Sequence, residues 1–126
     1  MLISELAQRT NLPIHTIRFY EREGLIDERF FHRGDNRYRY YHEEAVERIE
    51  MIKQGQSAGY TITEVRELLL TWDAGELTTD ATISYLEDKV GEISRKILEL
   101  EQIKGYLTQK LDSLRISPET AEIERG

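Results

Sequence analysis

Residues 14–25 read IHTIRFYEREGL. Pro13 stands just before this stretch and Gly24 near its end. Proline suits the first turn of a helix, because its missing N–H would be unpaired there anyway, and glycine readily takes the left-handed conformation that closes a helix. The stretch therefore reads as a helix from Pro13 to about Glu23. Phe19 and Tyr20 lie about 100° apart around such a helix, so at most one ring points squarely inward. Arg18 and Arg22 fall one turn apart on an outer face. Two readings follow. Either the rings pack inward beside solvated arginines, or the helix offers its surface to something with phosphates and flat bases.

Upstream, Ser4 is a plausible N-cap for a short helix running to Arg9 or Thr10, with Glu5 in its first turn. Asn11-Leu12-Pro13 then makes a turn, and Asn11 tolerates left-handed backbone. Two short helices joined this way form a helix-turn-helix. Downstream, Leu25-Ile26 and Tyr38-Arg39-Tyr40-Tyr41 read as strands around a loop containing Gly34-Asp35-Asn36. A hairpin after a helix-turn-helix is a wing. Residues 29–41 hold Arg29, Arg33, Arg37 and Arg39 against Asp35 alone, so this wing is locally basic. Those arginines either keep an edge strand from pairing or contact phosphate, where each neutralised charge releases counterion.

A third helix opens at His42-Glu43-Glu44 and reaches about Gln56. Gly59-Tyr60 breaks it, and Thr61-x-x-Glu64 fits a capping box for a fourth helix that ends at Asp73-Ala74-Gly75. Trp72 is either a hydrophobic hinge or the lining of an effector pocket. From about Thr79 apolar residues recur by threes and fours: Ile83, Leu86, Val90, Ile93, Ile97, Leu100, Leu107, Leu111 and Leu114, broken at Lys104. A helix of ~50 Å with so narrow a seam normally meets another of its own kind. Ser117-Pro118 closes it, leaving a tail expected to fray.

The formal net charge is −7 over 126 residues, which taken alone argues against nucleic acid. The distribution matters more. Residues 1–60 carry nine Lys+Arg against ten Asp+Glu, whereas residues 61–126 carry eight against fourteen, so the acidity belongs to the C-terminal half. There is no cysteine, which excludes disulfides, thiolate metal sites and a catalytic thiol. His15, His32 and His42 show no i, i+4 spacing, so no metal site is expected. No cofactor and no catalytic set is expected either. The start, MLISELAQRT, is not a signal peptide, and no run approaches the ~20 apolar residues that span a bilayer. A cytoplasmic protein without membrane contact is the expectation.

At ISELAQRT, LPIHTIRFYEREGLI, NRYRYY and the segment from GYT to EVREL, the chain resembles the MerR family of bacterial transcription regulators. The resemblance covers almost all of it, and Thr16 to Glu21 followed by Gly24-Leu25 is close to the family hallmark. It implies a homodimer that binds a palindromic promoter element in double-stranded DNA. The second helix would enter the major groove with His15, Thr16, Arg18 and Tyr20 near bases or phosphates. Arg37, Tyr38 and Arg39 would meet the flanking backbone, beside the basic Arg33. Tyr60 and the helix start after it would meet phosphate too, as exposed N–H groups at a positive dipole end allow. Family activators bend and untwist promoter DNA, so RNA polymerase is engaged indirectly, through the promoter, and an effector shifts the dimer between DNA shapes.

This chain departs from the family in two places. The wing commonly turns through Asn-Gly, but here Asn36-Arg37 stands, and a tight turn moved to Gly34-Asp35 is expected. Metal-sensing members carry cysteines near the end of the dimer helix, and this chain has none. The heptads also pose a conflict. Lys89, Lys96 and Lys110 at g and Glu87 and Glu101 at e would pair across a parallel coil, whereas the family's helices run antiparallel. The family arrangement is the one expected, since exposed pairs contribute only ~0.2–1 kcal/mol each.

The reading is therefore a mainly α protein. A winged helix-turn-helix DNA-binding domain spans residues 1–75, an antiparallel coiled-coil dimerisation helix 76–116, and a tail 117–126. The seam Ile83, Leu86, Val90, Ile93, Ile97, Leu100, Leu107 and Leu111 would hold the dimer. A DNA-architectural or recombination accessory protein would use the same module.

Overall fold

The computed structural model describes residues 1–116; the expected tail lies outside the described residues. The elements are α1 (Ile3–Thr10), α2 (Ile14–Arg22), a 3-10 turn (Glu28–Phe30), β1 (Phe31–Arg33), β2 (Arg39–Tyr41), α3 (Glu43–Ser57), α4 (Ile62–Asp73) and α5 (Thr79–Ile116). They form two compact units, one of Met1–Ala81 and one beginning at Thr82.

In the first unit α1 starts after Leu2, not at a Ser4 cap, and no side chain caps it. The Met1 carbonyl is already engaged by the backbone N–H of Tyr41, at 2.6 Å, so the helix begins as soon as that pairing ends. Asn11 takes the left-handed turn (φ 56°, ψ 41°), which lets the Leu12 N–H reach the Ala7 carbonyl at 3.0 Å. Pro13 is extended at the N-cap of α2, and Gly24 (φ 77°) closes that helix, as the sequence suggests. Leu6, Ile17, Leu25, Ile49 and Ile52 are the buried centre of the core, joined by Val65 and Leu69 of α4. The capping box of α4 is present, with Thr61 and Glu64 bonded reciprocally.

Leu25 and Ile26 are not a strand. The Leu25 N–H donates to the Tyr20 carbonyl at 2.9 Å, and its own carbonyl accepts from Arg48 Nε at 2.9 Å. Both backbone groups are spent before a ladder can form, and both side chains sink into the core. The hairpin is correspondingly short, with Phe31 opposite Tyr41, His32 opposite Tyr40 and Arg33 opposite Arg39.

Its turn also differs from expectation. The Gly34 carbonyl accepts from the Arg37 N–H at 2.9 Å, and the Gly34 N–H donates to the Tyr38 carbonyl at 3.0 Å. Asp35 and Asn36 stay at negative φ while Arg37 takes φ 65°. This is the three-residue loop in which a turn is followed by one left-handed residue, usually glycine. Arginine there costs roughly 1–2 kcal/mol of backbone energy. Gly34 is required for space instead, since a Cβ on it would meet the Tyr40 ring at 2.6 Å.

Arg48, with only 6% of its side chain exposed, ties the unit together. Its two terminal nitrogens donate to the two oxygens of Asp73, each at 2.9 Å, while Nε holds the Leu25 carbonyl. Arg29 reaches the same Asp73 at 3.0 Å and binds Asp27 at 2.8 Å. The Phe30 ring lies 5.2 Å from the Arg29 guanidinium and 5.1 Å from that of Arg48. The end of α4, the middle of α3 and the base of the wing are thus joined through one carboxylate, and Arg48 adds the end of α2.

The second unit is the remainder of α5. Ile83, Leu86, Val90, Ile93, Ile97, Leu100, Leu107 and Leu111 lie exposed along it. Lys89 and Lys96 both pair with Glu92, at 2.8 and 3.3 Å, and Lys110 lies over Tyr106. The lysines that a parallel coil would send to a partner's glutamates are thus engaged along their own helix.

Hydrogen bonds from Arg48 hold the Asp73 carboxyl below its ordinary value, and those from Arg29 do the same for Asp27. A depressed native pKa contributes stability that is complete above the unfolded value and lost as pH falls through the native one. We expect the melting temperature to fall steeply below about pH 4, the ordinary range of these groups, and less steeply in Asp73→Asn. At neutral pH that variant should lose on the order of 3 kcal/mol, because it leaves Arg48 buried without its anionic partner. Melts across pH followed by circular dichroism check both.

Candidate nucleic-acid interface

Helix α2 divides its side chains cleanly. Ile17 and Tyr20 are buried, while His15, Arg18 and Arg22 are exposed and Thr16 half-buried. The spacings 15, 18 and 22 place the three exposed groups on one stripe. Of the two rings, Tyr20 is the one that points inward. It is 3% exposed, and its hydroxyl donates to Gln56 Oε1 at 3.0 Å. Burial pushes its phenol pKa up. Tyr20 therefore leaves the set of groove-facing residues and joins the core.

The stripe borders a groove of about 800 Å³ between the start of α1, α2 and the wing. Four guanidiniums line it, from Arg18, Arg22, Arg37 and Arg39, with the single carboxylate of Glu21. Arg18, Arg22 and Arg37 are exposed and make no ion pair among the described residues. Tyr38 beside them is 62% exposed. These cations and one open phenol suit a phosphate backbone, which is held by cations and hydrogen-bond donors rather than by a closed pocket.

The other predicted residues are placed differently. Arg39 is half-buried and bonded to Glu21, with its guanidinium 4.6 Å from the Phe31 ring centre. Arg33 donates to the Arg37 carbonyl at 3.2 Å and braces the wing tip. Tyr60 is 9% exposed, packed in the core just before the Thr61 cap. At that corner it is the first turn of α4, not the Tyr60 ring, that faces solvent. Among the described residues no cluster of three His, Cys, Asp or Glu could hold a metal.

Sequence reasoning missed Glu21, Gln56 and Arg48. The Glu21 signal was present, since an acid three residues after Arg18 falls on the arginine stripe. Its partners, 18 and 20 residues away, were not visible without the fold.

Two family models match the chain, "MerR HTH family regulatory protein" over residues 1–71 and "MerR, DNA binding" over residues 46–110. The mercuric resistance operon regulatory protein of Bacillus cereus is 35% identical over 121 residues, 96% of this chain and 88% of that protein. Among solved structures, the transcription regulator PbrR691 from Ralstonia metallidurans CH34, in complex with lead(II), aligns with TM-score 0.81 at 28% identity. That alignment covers 90% of this chain and 87% of the other. HiNmlR, a MerR family regulator lacking the sensor domain and bound to promoter DNA, shares the fold with TM-score 0.62 at 18% identity. It covers 91% of this chain and 86% of that one.

The geometry separates two neighbours on α2. Tyr20→Ala should lower stability by ~3–5 kcal/mol through loss of a buried ring, and Tyr20→Phe by ~1 kcal/mol through loss of one hydrogen bond. Arg18→Ala should change stability by no more than ~0.5 kcal/mol, as expected of an exposed side chain. Urea melts of the three variants, analysed for midpoint and slope, check the assignment.

Proposed function

Because this chain belongs to the MerR family of helix-turn-helix regulators, we propose that it binds an inverted-repeat promoter element as a homodimer and controls transcription by deforming that DNA. The observation that carries this reading is the groove beside α2, where three guanidiniums without ion pairs among the described residues stand next to the exposed stripe of the recognition helix. His15, Thr16 and Arg18 are the side chains for the major groove. Arg22, Arg37 and Tyr38 are those for backbone, with Arg33 and Arg39 shaping the wing that carries them. At the start of α4 the Thr61 hydroxyl takes the Glu64 N–H, so the N–H groups of Ile62 and Thr63 are the ones for phosphate. Bending a promoter costs several kcal/mol, which backbone contacts of this kind offset. RNA polymerase is then affected through DNA shape. A regulator of this kind works where the chromosome is, in the cytoplasm, and no catalytic role is assigned to it.

The apolar stripe of α5 is the dimer seam, because Val90, Leu100 and Leu107 are each more than half exposed in the single chain, and a run of apolar groups this long marks an interaction surface. The g-position lysines turn toward Glu92 and Tyr106, which favours the family's antiparallel pairing. Since the chain has no cysteine, it does not sense metal ions through thiolates.

In vitro selection of duplexes from random DNA should recover one inverted repeat. The two backbone-facing arginines of each protomer, Arg22 and Arg37, or about four phosphates per dimer, predict a log–log salt slope near −4. Arg18→Ala should weaken the selected site by ~1–3 kcal/mol. Enrichment of no sequence, or an affinity indifferent to salt, sinks the proposal. Leu100→Lys should yield monomers, since pairing would bury a charge; an unchanged sedimentation mass refutes this seam.

A further inference from the structure

Among the described residues, every hydrogen bond between α2 and the wing ends on the Glu21 carboxylate. Oε2 accepts from Arg39 Nη1, and Oε1 accepts from the Tyr41 hydroxyl at 2.5 Å. The Glu21 side chain is 13% exposed, so the contact is sheltered from the solvent that weakens surface pairs. Both donors are themselves fixed. Arg39 lies over Phe31 at 4.6 Å, and the buried Tyr41 packs on the same ring with centres 5.6 Å apart. Each strand of the hairpin has only three residues, and a two-stranded hairpin of that size is marginal by itself. Its placement depends on what anchors it.

We infer that Glu21 is a positioning residue for the proposed DNA interface, its carboxylate setting the distance between the helix that enters the groove and the wing that meets flanking backbone. This inference rests on the DNA-binding reading above. An acid between Arg18 and Arg22, in a groove lined by cations, has a second possible effect: it could repel phosphate and hold Arg39 back from it. The two effects have opposite signs. A positioning group, once removed, weakens binding. A competing group, once removed, frees Arg39, tightens binding and steepens the salt slope by about one unit per protomer.

The test compares Glu21→Gln, Tyr41→Phe, Arg39→Ala and the double variant Glu21→Gln/Arg39→Ala with the full wild-type chain. In the absence of DNA, trypsin should cut after Arg33 and Arg37 faster in Glu21→Gln and Tyr41→Phe, with no matching fall in melting temperature. On the selected duplex, Glu21→Gln should bind about tenfold or more weakly. Hydroxyl-radical footprints should lose protection at the flanks and keep it over the central half-sites. In the Arg39→Ala background, Glu21→Gln should add little, because groups acting through one contact are non-additive. Should Glu21→Gln not fold, Tyr41→Phe removes one hydroxyl and carries the same expectations. Unchanged cleavage, tighter binding with a steeper salt slope, or additive losses each overturn the assignment. A wild-type chain with no footprint sinks the DNA-binding reading instead, and the DNA-free cleavage still decides whether Glu21 holds the wing.

Discussion

A guanidinium that faces inward holds the outward-facing parts of the N-terminal unit in register. Arg48 is buried, and removing a charge of that size from water is expensive unless every donor is used. Here its donors go to the Asp73 carboxylate and the Leu25 carbonyl, and the plane itself covers Phe30. Because Leu25 follows α2, Phe30 precedes the wing and Asp73 ends α4, one side chain fixes the connection from α2 to the wing against the distant end of α4. The core of Leu6, Ile17, Ile49 and Ile52 supplies most of the burial, but apolar packing is not directional. The ion pair adds orientation.

Charge is sorted by what it touches. Acids and arginines that serve the fold are paired: Arg9 with Glu43, Arg66 with Glu23, Arg48 and Arg29 with Asp73. Arg18, Arg22 and Arg37 have no ion pair among the described residues and are gathered at one groove. A net charge of −7 for the whole chain therefore coexists with a locally cationic surface, and the acidic remainder disfavours indiscriminate attachment to polyanions.

Much of this was legible in the sequence because local rules decided it. Pro13, Asn11 and Gly24 carry backbone conformations that few residues take, and Thr61 with Glu64 caps a helix by itself. The regular recurrence from Ile83 to Leu111 needed only the helical period. What failed depended on partners distant along the chain. Leu25-Ile26 look like a strand until Arg48 takes the Leu25 carbonyl. Tyr20 looks like an interface residue until Gln56, 36 residues later, accepts its hydroxyl. The Ser4 cap lost to a backbone pairing between Met1 and Tyr41. At the wing, the position of the turn was read from where glycine stood, but Gly34 is there to clear the Tyr40 ring, and Arg37 accepts the left-handed conformation instead.

That last exchange places two opposed demands on one side chain. Glycine at position 37 would relax the backbone, and arginine supplies a cation at the tip of the wing. A laboratory screen rewarding heat resistance would drift toward the smaller residue, and one rewarding DNA retention would keep the larger. Stability and affinity are thus negotiable at a single codon, in the exposed turn of the hairpin and away from the packed interior. The wing tip is accordingly where this protein can be retuned with least disturbance to its core.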